Sequence, residues 1–153
     1  MGYVERMLGS GETVTYRAGL HWIIYGSGLA FTAVAIGVGI GAALLPDGRM
    51  HELLLIAASV ILVLAIVQLL TAYARSSATE IAVTTHRIIY KSGLLSVRSV
   101  EMNRDKVESV IVDQDLLGRM LDYGTVIVRG TGAGLEPVVL VSNPLEFRRQ
   151  VSA

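Results

Sequence analysis

The chain has 153 residues, of which 52% are hydrophobic and only 17% are charged, whereas a soluble domain carries about 25% charged residues. Thirteen basic residues balance thirteen acidic ones, and the part from Ser76 onward is balanced as well, so we expect no nucleic-acid partner. The absence of cysteine excludes disulfides, thiol chemistry and cysteine-ligated zinc. His21, His51 and His86 lack ligand spacing, and we expect neither a metal nor another cofactor.

Two uncharged segments predict membrane spans. Leu20–Leu45 has 26 residues and Leu53–Ala74 has 22, and a helix needs about 20 residues to cross a hydrocarbon core of about 30 Å. A signal peptide would have a shorter apolar region with a cleavage site, and a buried hairpin of a soluble protein would keep a solvated face. We therefore predict a transmembrane helical hairpin over residues 20–74, preceded by a cytoplasmic N-terminal segment over residues 1–19.

The distribution of basic residues predicts the orientation of this hairpin. Pro46 and Gly48 turn the chain between the spans, so the two helices run antiparallel. The turn has Arg49 alone, whereas five basic residues lie near the other span ends: Arg6, Arg17, Arg75, Arg87 and Lys91. By the positive-inside rule both termini are cytoplasmic. Aromatic residues that prefer the membrane boundary lie on that same side, namely Tyr16, Trp22, Tyr25 and Tyr73.

Small residues recur regularly in each span. The first span has a four-residue repeat, Ala33, Gly37 and Gly41. The second has a seven-residue repeat, Ala58, Ala65 and Ala72. Such residues let two helix backbones approach closely. We expect the two faces to serve helix packing, either against each other or between copies of the chain.

Beyond Arg75 the pattern changes from helical to extended, and it predicts six short strands in meander order. These are Glu80–Thr84, Arg87–Lys91, Leu94–Met102, Lys106–Val112, Thr125–Arg129 and Pro137–Val141. Asp115 is the expected cap of a short helix with an apolar face of Leu116, Met120 and Leu121. Asn143 and Pro144 should start a terminal helix, Leu145–Val151.

The predicted fold class is therefore α+β. A transmembrane helical hairpin is followed, over residues 79–153, by a small antiparallel β-sandwich or partly open barrel with a C-terminal helix.

No cluster of residues in this domain predicts catalysis, and we expect a protein that is not an enzyme. Gly130–Gly134 lacks the lysine and the following helix of a phosphate-binding loop. Asp113 and Asp115 lie at a strand end and a helix start, where capping explains them better than acid/base chemistry. No nucleophile elbow presents a serine.

Basic residues on the first three predicted strands, Arg87, Lys91 and Arg98, are candidate contacts for lipid headgroups. The acidic residues Glu80, Glu101 and Asp105 are interleaved with them, so a solvated surface of mixed charge is the competing interpretation.

Three segments resemble the bacterial PH-like (pleckstrin-homology-like) membrane proteins. They are Gln114–Gly130, Thr84–Tyr90 followed by Gly93, and Gly11–Val14 leading to His21 and Trp22. The resemblance covers nearly the whole chain, spans included, and implies a PH-like fold at a bacterial inner membrane with no known catalytic residues. A PH sandwich has seven strands and six are predicted, so one strand is either hidden, as a split of Leu94–Met102, or missing.

These observations favour a non-enzymatic, membrane-anchored interaction or scaffold module at the cytoplasmic face of the inner membrane. Its expected partners are membrane lipids and either another protein or further copies of the chain. Two alternatives stay open: a sensor of anionic lipid headgroups, and an accessory subunit of a transporter or membrane enzyme.

Overall fold

The computed structural model of the protein describes residues 3–9, 11–93, 97–131 and 137–152. The chain divides into two compact units. We call Met1–His21 together with Arg75–Ala153 the sandwich unit, and Trp22–Ala74 the hairpin unit.

The described residues form seven strands, five α-helices and two short 3-10 helices, joined by turns and links. In chain order they are α1 (Tyr3–Met7), β1 (Val14–Ala18), a 3-10 helix (Trp22–Tyr25), α2 (Gly26–Ala43), α3 (Arg49–Ala78), β2 (Glu80–Thr84), β3 (Arg87–Ser92), β4 (Arg98–Asn103), a 3-10 helix (Arg104–Lys106), β5 (Val107–Asp113), α4 (Leu116–Leu121), β6 (Tyr123–Gly130), β7 (Val138–Ser142) and α5 (Pro144–Ser152).

Two helical segments, Trp22–Ala43 and Arg49–Ala78, are long and apolar enough to cross a membrane, and all but the last four residues of the second belong to the hairpin unit. Only 11% and 6% of their most apolar 18-residue stretches are buried within the chain, whereas the core helix of a soluble protein is mostly buried. The first segment begins two residues later than the predicted Leu20–Leu45, because Leu20 forms a β-bridge with Val141. The second is longer at both ends than the predicted Leu53–Ala74.

Within this chain α2 buries small residues other than the predicted stripe, whose use in packing between copies stays a prediction. Ala33, Gly37 and Gly41 are exposed, and a Cβ atom added to either glycine would meet nothing within 4 Å. The buried residues of α2 are instead Gly28, Ala35 and Ala42. A seven-residue repeat drifts only about 20° around a helix, whereas each four-residue step drifts about 40°, so the seven-residue set stays on one face.

In α3 two residues of the seven-residue repeat, Ala65 and Ala72, are buried and the third, Ala58, is half-buried. A Cβ atom added to Gly28 of α2 would lie 2.6 Å from Leu69 Cδ2. Glycine at this position therefore permits the close approach of α2 and α3.

Seven antiparallel strands form the two sheets of the sandwich unit. One sheet has the order β1-β2-β3-β4 and the other β5-β6-β7, and the sheets do not close into a barrel. The seventh strand is β1, from the N-terminal segment, and not a split of Leu94–Met102, where Arg98–Asn103 is a single strand and residues 94–96 lie outside the described part. Residues 132–134 of the predicted Gly130–Gly134 loop also lie outside it.

The sandwich therefore takes in part of the segment predicted as residues 1–19, in addition to residues 79–153. Strand β1 pairs with β2 in the register Arg17↔Ala82 and Ala18↔Ile81. The hairpin unit is thus an insertion between two neighbouring strands of one sheet. Only residues 19–21 and Thr79 separate these strands from the two apolar helices.

This arrangement gives the sandwich two distinct ends. We call the end with Ala18, Glu80, Lys91 and Arg98, from which the chain leaves for Trp22 and to which it returns from Ala78, the span end. The opposite end, with Val14, Thr84, Arg87 and Asn103, is the far end.

The core lies between the two sheets and under the C-terminal helix. Ile81, Val83 and Ile88 of the first sheet pack with Val126, Val128 and Val141 of the second, and Phe147 and Val151 of α5 cover them. The predicted C-terminal helix is thereby confirmed, one residue longer at each end. On the outer face of the first sheet, Val4 of α1 forms a second cluster with Ala82 and Ile89.

The turn from β5 to β6 contains the predicted short helix, α4. The Oδ1 atom of Asp115 accepts a hydrogen bond of 2.6 Å from the backbone N–H of Gly118, so the predicted N-cap is confirmed. At the other end Asp122 has a left-handed conformation, with φ of 59°. Gly118 is buried and packs so closely on Tyr123 that an added Cβ would lie 2.6 Å from the Tyr123 carbonyl oxygen.

Candidate functional site

Arg87 lies at the far end of the sandwich, in an ion-pair network that the sequence analysis did not predict. Its Nε and Nη2 atoms donate to the two carboxylate oxygens of Glu12 at 2.9 and 2.7 Å. Its Nη1 atom donates to Glu101 at 2.7 Å, and Nη2 also donates to the carbonyl of Met7 at 2.7 Å. The guanidinium is therefore occupied by two carboxylates and a carbonyl of the same chain.

Glu12 is held by four hydrogen bonds in this network. Besides the two from Arg87, it accepts one from the hydroxyl of the fully buried Thr84 at 2.6 Å and one from the N–H of Gly9 at 2.8 Å. Its side chain is 6% exposed. Hydrogen bonding to Arg87, then to Gly9 and Thr84, lowers the pKa of Glu12 from 4.5 to about 2. The network thus ties the segment before β1 to the β2–β3 turn.

The three basic residues predicted as headgroup contacts do not form one patch. In the strand register Lys91 lies opposite Glu80 of β2 and Ser99 of β4, and Arg98 lies opposite Ser92, so Lys91 and Arg98 are both at the span end with their side chains on opposite faces of the sheet. Arg87 is at the other end of β3, roughly 13 Å from Lys91 at about 3.3 Å per residue. The sequence places Arg87 and Lys91 at opposite ends of one predicted strand, but only the fold shows which of these ends lies near the apolar helices.

Residues 19–21, immediately before the first apolar helix, are hydrogen-bonded to the second sheet. The N–H of His21 donates to the carbonyl of Leu140 at 2.6 Å, and the carbonyl of Gly19 accepts from Ser142 at 3.0 Å. The ring of His21 lies 5.3 Å from that of Tyr123, centroid to centroid. Leu140 has a φ of 58°, an unfavourable conformation for a residue other than glycine. The short link, residues 19–21, is therefore an ordered part of the sandwich, fixed by hydrogen bonds to the second sheet.

An open groove of about 610 Å³ lies beside this link at the span end. Its lining includes Asp113 and Asp115, for which capping was the favoured interpretation, together with Tyr123, Thr125 and Val139. Asp115 is engaged in capping α4, and Gln114 donates to the carbonyls of Gly118 and Tyr123 at 3.2 and 3.0 Å. Within the described residues, no three His, Asp or Glu side chains are grouped as metal ligands.

Comparison with known proteins gives one match. A family model described as bacterial PH domain matches residues 18–153, which include the hairpin unit and strands β2 to β7. No curated protein and no solved structure matches the chain.

Proposed function

The chain belongs to the bacterial PH domain family, and from that premise we propose that it is a membrane-anchored interaction module. PH-like domains serve in general as interaction or lipid-binding modules and are generally non-catalytic. In this proposal the hairpin unit spans a bacterial inner membrane and holds the sandwich at the cytoplasmic face. There the sandwich binds a protein partner or another copy of the chain, and no reaction is catalysed.

The pairing of β1 with β2 is the observation that supports this proposal most strongly. Ala18 and Ile81 are partners in an antiparallel ladder, so their Cα atoms are about 5 Å apart. One leads to the first apolar helix and the other follows the second. This pairing supports a proposed topology in which both helices meet the sandwich on the same side of the bilayer, as in an antiparallel hairpin.

The short links also restrict the partners that the sandwich can meet. Residues 19–21 reach at most about 10 Å when extended, and Thr79 alone joins α3 to β2. If the two helices span the membrane, these links hold the span end of the sandwich within about 10 Å of the lipid surface. We propose a partner that lies in or on the same membrane, which includes the role of accessory subunit in a larger membrane complex.

Cysteine accessibility tests the proposed topology, because the chain has no cysteine of its own. Gly48→Cys lies between the two helices and Asp105→Cys lies at the far end of the sandwich, and both positions are exposed. In intact cells, a membrane-impermeant maleimide should label residue 48 alone, and residue 105 should react only after the inner membrane is opened. Equal labelling of both positions in intact cells would contradict the proposal.

Contact with anionic lipid headgroups is a second candidate function, favoured by the position of both Lys91 and Arg98 at the span end of the first sheet. Each cation near an anionic surface contributes about 1 kcal/mol of attraction. If this candidate is correct, Lys91→Ala with Arg98→Ala should reduce the anionic lipid retained by the detergent-purified chain, measured by mass spectrometry. Lys106→Ala with Arg129→Ala is the matched control, since these exposed cations lie away from the span end. Equal retention in both variants would exclude this function.

A further inference from the structure

Helix α4 presents its hydrophobic side chains to the outside of the sandwich. Leu116 and Met120 are each 80% exposed, Leu117 is 59% exposed and Leu121 is 39% exposed. At 3.6 residues per turn these four side chains occupy an arc of about 140°. The side of α4 that faces the sandwich is formed by the buried Gly118. Helices on a water-exposed surface show the opposite arrangement, with the apolar stripe inward.

Exposed apolar residues of the sandwich unit are concentrated at the span end. Among the described residues of this unit, eight large apolar side chains are exposed, and four of them belong to the six residues of α4. Val97 precedes the first residue of β4, Val139 lines the groove beside α4, and Leu145 follows Pro144, against which Gly124 packs. Only Met7 lies elsewhere. Such a concentration marks a surface that is covered in the working protein.

The position of α4 indicates what covers this surface. Asp122 ends the helix and Tyr123, the next residue, contacts the ring of His21. His21 immediately precedes Trp22, the first residue of the first apolar helix. The patch is therefore continuous with the point at which the chain leaves the sandwich for the membrane. If the hairpin unit spans the bilayer, the lipid headgroups are the nearest medium to α4.

We propose that α4 inserts into the membrane–water boundary and is a third attachment of the sandwich to the bilayer. Leu116, Leu117, Met120 and Leu121 then lie at the boundary between headgroups and acyl chains, where an amphipathic helix is buried by roughly 5–10 Å. Arg119, which is exposed and lies about 60° outside the apolar arc, is at the level of the phosphates.

A third attachment has a functional consequence. Two links at neighbouring strands hold the sandwich near the lipid but leave it free to tilt, whereas insertion of α4 fixes which face is turned away from the membrane. The inference rests on the proposed function, because it requires the sandwich to lie at a bilayer surface.

The test uses the full chain, reconstituted into lipid vesicles, with one cysteine at a time labelled by an environment-sensitive fluorophore. The positions are Met120→Cys on α4, Val60→Cys within the second apolar helix and Asp105→Cys at the far end. All three side chains are exposed in the structure, so labelling disturbs no buried contact. We expect fluorescence at residues 120 and 60 to shift to shorter wavelength and to be quenched by lipid-borne nitroxides, while residue 105 stays unquenched.

The outcomes separate this inference from the proposed function. Quenching at residue 60 without quenching at residue 120 would overturn the insertion of α4 and leave the spans intact. Absence of lipid quenching at both positions would overturn the membrane-spanning hairpin itself. A wavelength shift at residue 120 that lipid nitroxides do not quench, and that disappears when labelled protein is diluted in the vesicles, would show that a second copy covers α4 and would overturn insertion.

Discussion

Replacing Glu12 with glutamine should destabilise the sandwich by about 1–3 kcal/mol, the cost of leaving a charged partner unsatisfied in a largely buried site. The amide can accept at one oxygen only, so it cannot receive the paired hydrogen bonds from Arg87 together with those from Thr84 and Gly9. For a domain of this size the thermal midpoint should fall by roughly 10 °C. The fall in thermal midpoint can be followed by hydrogen exchange of the β2 and β3 amides while the full chain is heated in detergent.

The matched control for this prediction is Glu5→Gln. Glu5 also pairs with an arginine across the same sheet face, Arg17 at 3.0 Å, but the two side chains are 41% and 55% exposed. An exposed ion pair contributes about 0–1 kcal/mol, so the midpoint should hardly move. An equal effect of the two substitutions would show that the Glu12 network has no special role in stability.

The same network predicts a dependence of stability on pH. The pKa of Glu12 in the folded chain is lowered to about 2, from an ordinary value of 4.5. Its stabilising contribution is therefore complete above pH 4.5 and is lost as the pH falls from 4.5 towards 2. In Glu12→Gln the loss of stability over this range should be smaller than in the natural chain. Parallel acid titrations of the two proteins would reveal an equal loss if another group were responsible.

Deletion of residues 3–18 should prevent the sandwich from folding. Without β1, strand β2 becomes an unpaired edge, and the core loses Ala18 and the contact of Tyr16 with Phe147, whose ring centroids are 6.4 Å apart. Thr84 and Arg87 also lose Glu12. Domains have only about 5–15 kcal/mol of stability in total, and the loss of a strand exceeds what so small a fold tolerates. The amides of β2 to β4 should then exchange as in an unfolded chain.

A shorter deletion, of residues 3–9, is the control. It removes α1 and its contact of Val4 with Ala82 and Ile89, but it leaves β1 and the pairing of Glu12 with Arg87. The sandwich should be weakened and still folded, with protected amides in β2 to β4. Protection of these amides after the longer deletion as well would mean that β1 is dispensable.

The sequence predicted the local elements well, because each is specified by its own residues. Asp115 indicates the start of α4, and Pro144 indicates the start of α5. The lack of charged residues indicates the two apolar helices. The six strands after the hairpin were found for the same reason. The PH-like fold was predicted from the resemblance of whole segments and is confirmed.

The features that escaped prediction all depend on contacts between distant residues. Strand β1 has only five residues and is separated in sequence from its partner, β2, by the whole hairpin unit. No turn motif between the two strands therefore predicts their pairing. Glu12 and Arg87 are distant in sequence for the same reason. The two stripes of small residues look alike in sequence, and only the packing of α2 on α3 selects Gly28, Ala35 and Ala42 over the other stripe. The hydrophobic face of α4 was predicted, but its exposure was not.

The two apolar helices are an insertion into a sandwich that includes β1. This arrangement is tested most directly by replacing residues 22–78 with a short glycine–serine linker that joins His21 to Thr79. We predict that this chain folds in water without detergent and shows the same pattern of hydrogen-exchange protection in β1 to β4 as the full chain, while residues 79–153 alone do not fold. An unfolded linker variant, or a folded sandwich from residues 79–153 alone, would contradict the account.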